Sequence, residues 1–218
     1  TDTDISDTHT AHVAFNGAVG GNGGSVSTGL LTALGTALSV PASALAAGVY
    51  TFNWNFALSN GFVQYLGAGE TVTATYTITV KDGSGDSTTD TSVGQTVTVV
   101  ITGTNDTPVI GTATLTGTVT EDTTPPAQTG SETVTGTIAF SDVDLTDTHT
   151  VSAAFKSTDY SSQLGSLTAV RTNDTSGGVG GLITWTFTAS DAATNQLAAG
   201  QFVHETYTVT LNDGKGGV

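Results

Sequence analysis

Cysteine and methionine are absent from this 218-residue chain, and lysine and arginine together number only 4. Without thiols there is no disulfide framework, no thiolate metal site and no cysteine nucleophile. Lys81, Lys156, Arg171 and Lys215 cannot build the basic surface that releases counterions from nucleic acid, so no nucleic-acid partner is expected. No apolar run approaches the ~18 residues that cross a bilayer, so no membrane contact is expected of this segment. The lack of Met, with Thr1 at the start and no signal or anchor pattern, leads to the expectation of a piece of a longer protein whose sorting information lies elsewhere. Proline is scarce, at 4 residues, and so is glutamate, which supplies 4 of the 19 acids.

What is present is one-sided. Threonine accounts for 46 residues, glycine for 28 and aspartate for 15, and the formal charge is −15. Aspartate favours loops and turns over helices, and short acids crowded into loops are what an oxygen-ligated cation needs. Acidity kept only for solubility is the plainer alternative. The apolar 37% recurs with a clear period, which argues against long disorder.

That period is two. Val72, Ala74, Tyr76, Ile78 and Val80 share one face of residues 71–80 while Thr occupies the other, the mark of a half-buried strand. Tyr50, Phe52, Trp54, Phe56 and Leu58 alternate in the same way, as do Val97, Val99 and Ile101, then Leu115 and Val119. Val134, Ile138 and Phe140 follow, then Ile183, Trp185 and Phe187, and last Val203, Tyr207, Val209 and Leu211. Helix signals are weak. Residues 30–47 could hold a turn or two, but Gly35, Pro41 and Gly48 argue against more. The expected fold is all-β, with tandem antiparallel β-sandwiches and little helix. Trp54 and Trp185 lie on apolar faces, so both are expected to be buried at equivalent depth.

The sequence repeats itself. TDTDISDTHTAHVAF at 1–15 matches SDVDLTDTHTVSAAF at 141–155, an offset of 140. LGAGETVTATYTITVKDG at 66–83 matches LAAGQFVHETYTVTLNDG at 197–214, an offset of 131 that Trp54 and Trp185 share. The difference falls in the longer GAVGGNGGS loop of the first copy. Tandem units of this size suggest an array. The expected division lies at GTNDTPVIG, residues 103–111, giving repeats 1–107 and 108–218, with Pro108 stiffening the passage. Each repeat looks incomplete, the first at its N-terminal strands and the second at its last strand. Flanking sequence is the simpler expected source of those strands, and complementation by neighbouring chains the other.

Four constellations could carry chemistry. Asp142, Asp144 and Asp147 form DVDLTD. In extended backbone, residues two apart face the same way, about 6.6 Å apart, so Asp142 and Asp144 are expected to converge on one ion, with Asp147 arriving from the turn. Asp2, Asp4 and Asp7 repeat the spacing. Three uncompensated carboxylates repel without a cation, which favours a metal role. Asn105 and Asp106 at the division form the second pair, for which an Asx turn before Pro108 competes with a metal role. Glu121 and Asp122 form the third. The fourth, Lys81 to Asp86, echoed by Asn212 to Gly216, reads first as a hairpin turn. No EF-hand loop is present. His9 and His149 in the two DTHT copies read as structural histidines capping the Asp-rich turn or packing on the sandwich. No Ser sits in a Gly-x-Ser-x-Gly elbow, and no acid/base pair can be assigned, so the chain is not expected to be an enzyme.

GTIAFSDVDLTDTHTV at 136–151, YTITVKDGSGDS at 76–87 and TVTVVITGTNDTPVI at 96–110 together resemble the VCBS-type repeats of large bacterial surface proteins, often linked to RTX-type adhesins. The resemblance covers nearly the whole chain. It implies cadherin-like or immunoglobulin-like sandwiches in tandem, acting as extenders for an adhesive domain, with calcium near the junctions. Asn105, Asp106, Asp142 and Asp144 match the elements that share ions in cadherin-like joints, while GTNDTP lacks the acid that precedes the Asn there. The resulting expectation is a calcium-stiffened spacer on a bacterial cell surface, supporting adhesion or biofilm formation, with adjacent repeats as partners. The alternative is a polysaccharide-binding or self-associating module, with Phe62, Tyr65 and Tyr160 as candidate contacts.

Overall fold

The computed structural model describes residues 9–41, 51–82, 91–121 and 130–216. The protein is all-β, 48% strand and 10% helix, built from several antiparallel sheets. It divides into two compact units, Thr1–Thr104 and Asn105–Val218, so Asn105 and Asp106 fall with the second.

The first unit runs β1 (Thr10–Gly20), α1 (Thr28–Ala37), β2 (Leu38–Ser39), β3 (Asn55–Phe56), β4 (Thr71–Lys81) and β5 (Gln95–Thr102). Its main sheet has the order β1-β4-β5. Register pairs Phe15 with Tyr76, and Tyr76 with Val97 on the other side. The alternation in β4 sends Val72, Ala74 and Tyr76 inward, where they pack with Leu30, Leu34, Leu38 and Leu66. The Tyr76 hydroxyl donates to the Leu34 carbonyl at 2.8 Å, so the one polar atom of this buried ring is satisfied.

α1 is longer than the sequence suggests. Ser27 caps it, its side chain accepting from the Leu30 N–H, and Leu30, Leu34 and Ala37 bury one stripe. Burial of two leucines contributes about 1.5–3 kcal/mol each, which outweighs the ~1 kcal/mol that Gly35 costs.

The second unit runs β6 (Val109–Ala113), β7 (Ser131–Ser141), β8 (Thr150–Thr158), β9 (Gly165–Asn173), β10 (Gly181–Ser190), the one-turn α2 (Asp191–Thr194) and β11 (Glu205–Asn212). One sheet has the order β6-β7-β10-β9 and the other pairs β11 with β8. Ile138, Phe140, Ile183 and Trp185 of the larger sheet meet Leu211 of the smaller in one core, flanked by Val151 and Val209. The Tyr207 hydroxyl lies 2.8 Å from the Gly165 carbonyl, across the same 42-residue separation as Tyr76 to Leu34, and its one proton is shared between that oxygen and Glu205 Oε2 at 2.7 Å. The repeat therefore keeps this tie, although its acceptor lies on a helix in one unit and at the start of a strand in the other.

Three expectations fail. Trp185 is 6% exposed but Trp54 is 45% exposed. The Trp185 ring lies so close over β7 that a Cβ at Gly136 would come within 2.4 Å of it, and its N–H donates to the Thr114 carbonyl at 2.8 Å. Among the described residues no strand equivalent to β7 covers Trp54. Of the strand expected over 50–58, residue 50 lies outside the described residues, and within 51–58 only Asn55–Phe56 forms a strand. Leu115 and Val119 also lie outside any strand, because alternation forms a strand only where a bonded neighbour exists.

Candidate metal centre

Residues 142–149 leave the end of β7 and turn back into β8. The extended backbone expected for DVDLTD is not what forms. The Asp144 N–H donates to Asp142 Oδ1 at 2.9 Å, an Asx turn, and the Asp147 N–H donates to the Asp144 carbonyl at 3.2 Å. The turn still buries all three side chains, Asp144 completely and Asp147 to 3% exposure.

Two flanks hold this loop. On one, the His149 ring sits between carboxylates, with Nδ1 2.7 Å from Asp174 Oδ1 and Nε2 3.0 Å from Asp142 Oδ2. The ring packs at a tilt against Phe140, centroids 5.0 Å apart. Arg171 on β9 donates to Asp174 and to the His149 carbonyl. The buried ring thus has both nitrogens engaged and acts as a strut for the Asp-rich turn. Ser176 donates its hydroxyl to the Asp147 carbonyl at 3.1 Å.

On the other flank lies the start of the unit. The Asp106 N–H donates to Asp144 Oδ2 at 2.8 Å. Asn105 Nδ2 donates to Asp213 Oδ2 at 3.0 Å. Asp213 follows β11 and is itself buried, and its Oδ1 accepts from the Lys215 N–H at 2.7 Å. Asp106, Asp142, Asp144, Asp147 and Asp213 are thereby gathered into one region, with Lys215 close to Asp147.

Both innermost acids are hard to ionise. The Asp144 carboxyl is raised above the usual range, first by burial, then by Asp142, Asp147 and Asp106, against the lowering hydrogen bond from Asp106. Asp147 is raised by burial, Asp142 and Asp213, although Lys215 and His149 offset part of this. Asp174 is the contrast. Burial pushes it up, but hydrogen bonds from His149 and Thr175 and the charge of Arg171 outweigh that and hold it low.

Three buried side-chain oxygens of this cluster have no hydrogen-bond donor: Asn105 Oδ1, Asp144 Oδ1 and Asp147 Oδ2. Unmatched buried acceptors carry a full desolvation cost of about 1–3 kcal/mol each, and hard oxygen donors of this kind suit calcium. Asp142 does not share this character, since both its oxygens are occupied within the loop. Among the described residues no group of three or more His, Asp or Glu side chains forms a ready-made cage.

The remaining sequence candidates fall elsewhere. Asp2, Asp4, Asp7 and Asp122 lie outside the described residues. His9, the counterpart of His149, is buried. Glu121 lines a groove in the second unit. Asn212 to Gly216, expected as a hairpin turn, is a bend with Gly214 at φ 72°, in which the Asn212 and Asp213 side chains each accept from the N–H two residues on, and it delivers Asp213 to the cluster. Asp174 was not singled out from the sequence, although TNDT at 172–175 repeats TNDT at 104–107. Compared with known proteins, the chain matches no protein-family model and no curated sequence.

Proposed function

We propose that the chain is a pair of calcium-stiffened spacer repeats from a secreted or cell-surface bacterial adhesin, with no catalytic role. The observation that carries this reading is the set of unmatched buried oxygens on Asn105, Asp144 and Asp147 within a five-aspartate cluster. A divalent cation bound there would offset the burial and the carboxylate repulsion that together raise Asp144 and Asp147. It would also tie the first residues of the second unit, Asn105 and Asp106, to the body of that unit, so that less of the chain between the two units is free to swing. Threonine-faced strands, few cations and no thiols suit an extracellular surface rich in calcium. Extracellular calcium modules work at dissociation constants of about 10⁻⁴–10⁻³ M, which leaves the chain unliganded and pliable where calcium is scarce.

Titration calorimetry on chelator-treated protein tests the reading. Saturable calcium binding in about that range is expected, with magnesium a poor substitute because it demands a tighter octahedron. Asp144→Asn, which keeps an oxygen but removes a charge, should weaken binding by about tenfold or more. Absence of calcium binding up to about 10 mM would remove the basis for the proposal.

A further inference from the structure

Lysine and arginine together number 4 in a chain of formal charge −15, and one of the four stands beside the cation cluster. Lys215 lies in the bend that delivers Asp213. Gly214 at φ 72° and Gly216 at φ 109° flank it, backbone conformations that glycine adopts without the penalty a Cβ would bring. The bend turns the Lys215 N–H onto Asp213 Oδ1 at 2.7 Å. The other oxygen of that carboxylate accepts from Asn105 Nδ2 at 3.0 Å, and Asn105 Oδ1 is one of the three unmatched oxygens. The Lys215 backbone is therefore fastened to the cluster through two side chains, Asp213 and Asn105. Asp213 and Asp147 are buried, whereas Lys215 is exposed, so the ammonium stays on the solvent side of these carboxylates. Its charge still reaches inward, since it opposes the burial that raises Asp147.

The repeat shows what this position holds elsewhere. At the offset of 131, KDGSG at 81–85 corresponds to NDGKG at 212–216. Aspartate and both glycines recur, but Lys215 stands where the first copy has Ser84. The recurring pattern thus does not call for a lysine, and the ammonium is an addition of the second copy. A calcium ion arriving among Asn105, Asp144 and Asp147 would meet a positive charge already fixed nearby, and like charges repel. We propose that Lys215 is an affinity-setting residue, whose tethered charge weakens calcium binding by the second unit and raises the calcium concentration at which the unit is loaded. This role rests on the calcium reading of the cluster and adds to it a determinant that ligates nothing.

Titration calorimetry with calcium compares the parent chain with four variants at about 0.1 M salt, where the Debye length is about 10 Å. Lys215→Ser installs the residue of the first copy and should bind calcium about threefold more tightly or better. Lys215→Gln, which removes the charge but leaves a long side chain, should gain similarly, so that the gain is not owed to a new hydroxyl ligand. Lys215→Arg keeps the charge and should bind like the parent. Lys156→Ser makes the same change in net charge, but Lys156 lies six residues along β8 from Thr150, about 20 Å of strand, and it too should bind like the parent. Near 1 M salt the Debye length falls to about 3 Å, and the gain of Lys215→Ser should shrink toward none. Calcium binding by the parent with no gain in Lys215→Ser and Lys215→Gln, an equal gain in Lys156→Ser, or a gain that salt leaves unchanged would overturn the role of Lys215 alone. No calcium binding by any of the five chains would overturn the calcium reading together with it.

Discussion

At the residue scale, the cluster makes a signed prediction about pH. Asp144 and Asp147 have folded-state values raised above the unfolded ones. The folded protein therefore holds more protons than the unfolded chain in the window just above the usual carboxylate range, and stability falls as pH rises through it. Asp174 is lowered, so its contribution is present above the unfolded value and is lost as pH falls through the folded one. In chelator, the melting temperature should rise on mild acidification from neutrality and fall again in stronger acid. In calcium the first rise should vanish, because the ion competes with those protons. Circular dichroism melts across the pH range check this, and a chelated protein whose stability declines steadily from pH 7 downward would contradict it. Tyr207 offers a second readout. Burial, then the hydrogen bond to Glu205, push its hydroxyl up to about 12, so ultraviolet titration should find a tyrosine still neutral when exposed ones have ionised. Tyr207→Phe should reduce that late step without abolishing it, because burial raises Tyr76 and Tyr65 as well.

The acid-rich character of residues 142–147 was legible in the sequence, since three aspartates in six positions are visible without a fold. Their geometry was not. A period-two strand and an Asx turn are both open to an Asp-x-Asp segment, and the choice fell to the turn once the Asp144 N–H found Asp142. Asp174 and Asp213 were out of reach for another reason: they join the cluster only through pairing of strands far apart in sequence.

At the scale of elements, alternation identified β4, β5, β7, β10 and β11, whose inward residues form the two cores. It misjudged residues 51–58, and Leu115 and Val119, because alternation states which face a strand would bury, not whether a neighbour exists to bond it. It also missed the extent of α1, where a cap at Ser27 and a leucine pair four residues apart outweigh one glycine. The close approach of Trp185 to Gly136 predicts that Gly136→Ala forces the ring from its place, at a cost of about 1–3 kcal/mol. The variant should melt earlier and shift the tryptophan emission to the red. An unchanged melting curve would mean that β7 and β10 pack less tightly than described. Ser27→Ala removes the α1 cap and should cost the first unit about 1 kcal/mol, read by chemical denaturation.

At the scale of the whole molecule, the proposal is that calcium restrains the passage from the first unit to the second by fastening Asn105 and Asp106. Small-angle scattering should then show a narrower distance distribution in calcium than in chelator, and Asp144→Asn should lose the difference while its second unit stays folded. A ligand that binds only the folded state adds about 2.7 kcal/mol at a hundredfold excess over its dissociation constant, so the same variant should also lose the calcium-dependent rise in melting temperature. Equal scattering from parent and variant, with calcium still bound, would confine the ion to stabilising one loop.

Central to the proposal is that a calcium ion would bind through the unmatched oxygens of Asn105, Asp144 and Asp147. The most direct measurement is a crystal structure of the chain grown in millimolar calcium, with anomalous diffraction to locate the ion. The predicted result is an anomalous peak about 2.3–2.6 Å from Asn105 Oδ1, Asp144 Oδ1 and Asp147 Oδ2. Those three oxygens bonded instead to protein donors or to water, with no anomalous peak among them, would contradict it.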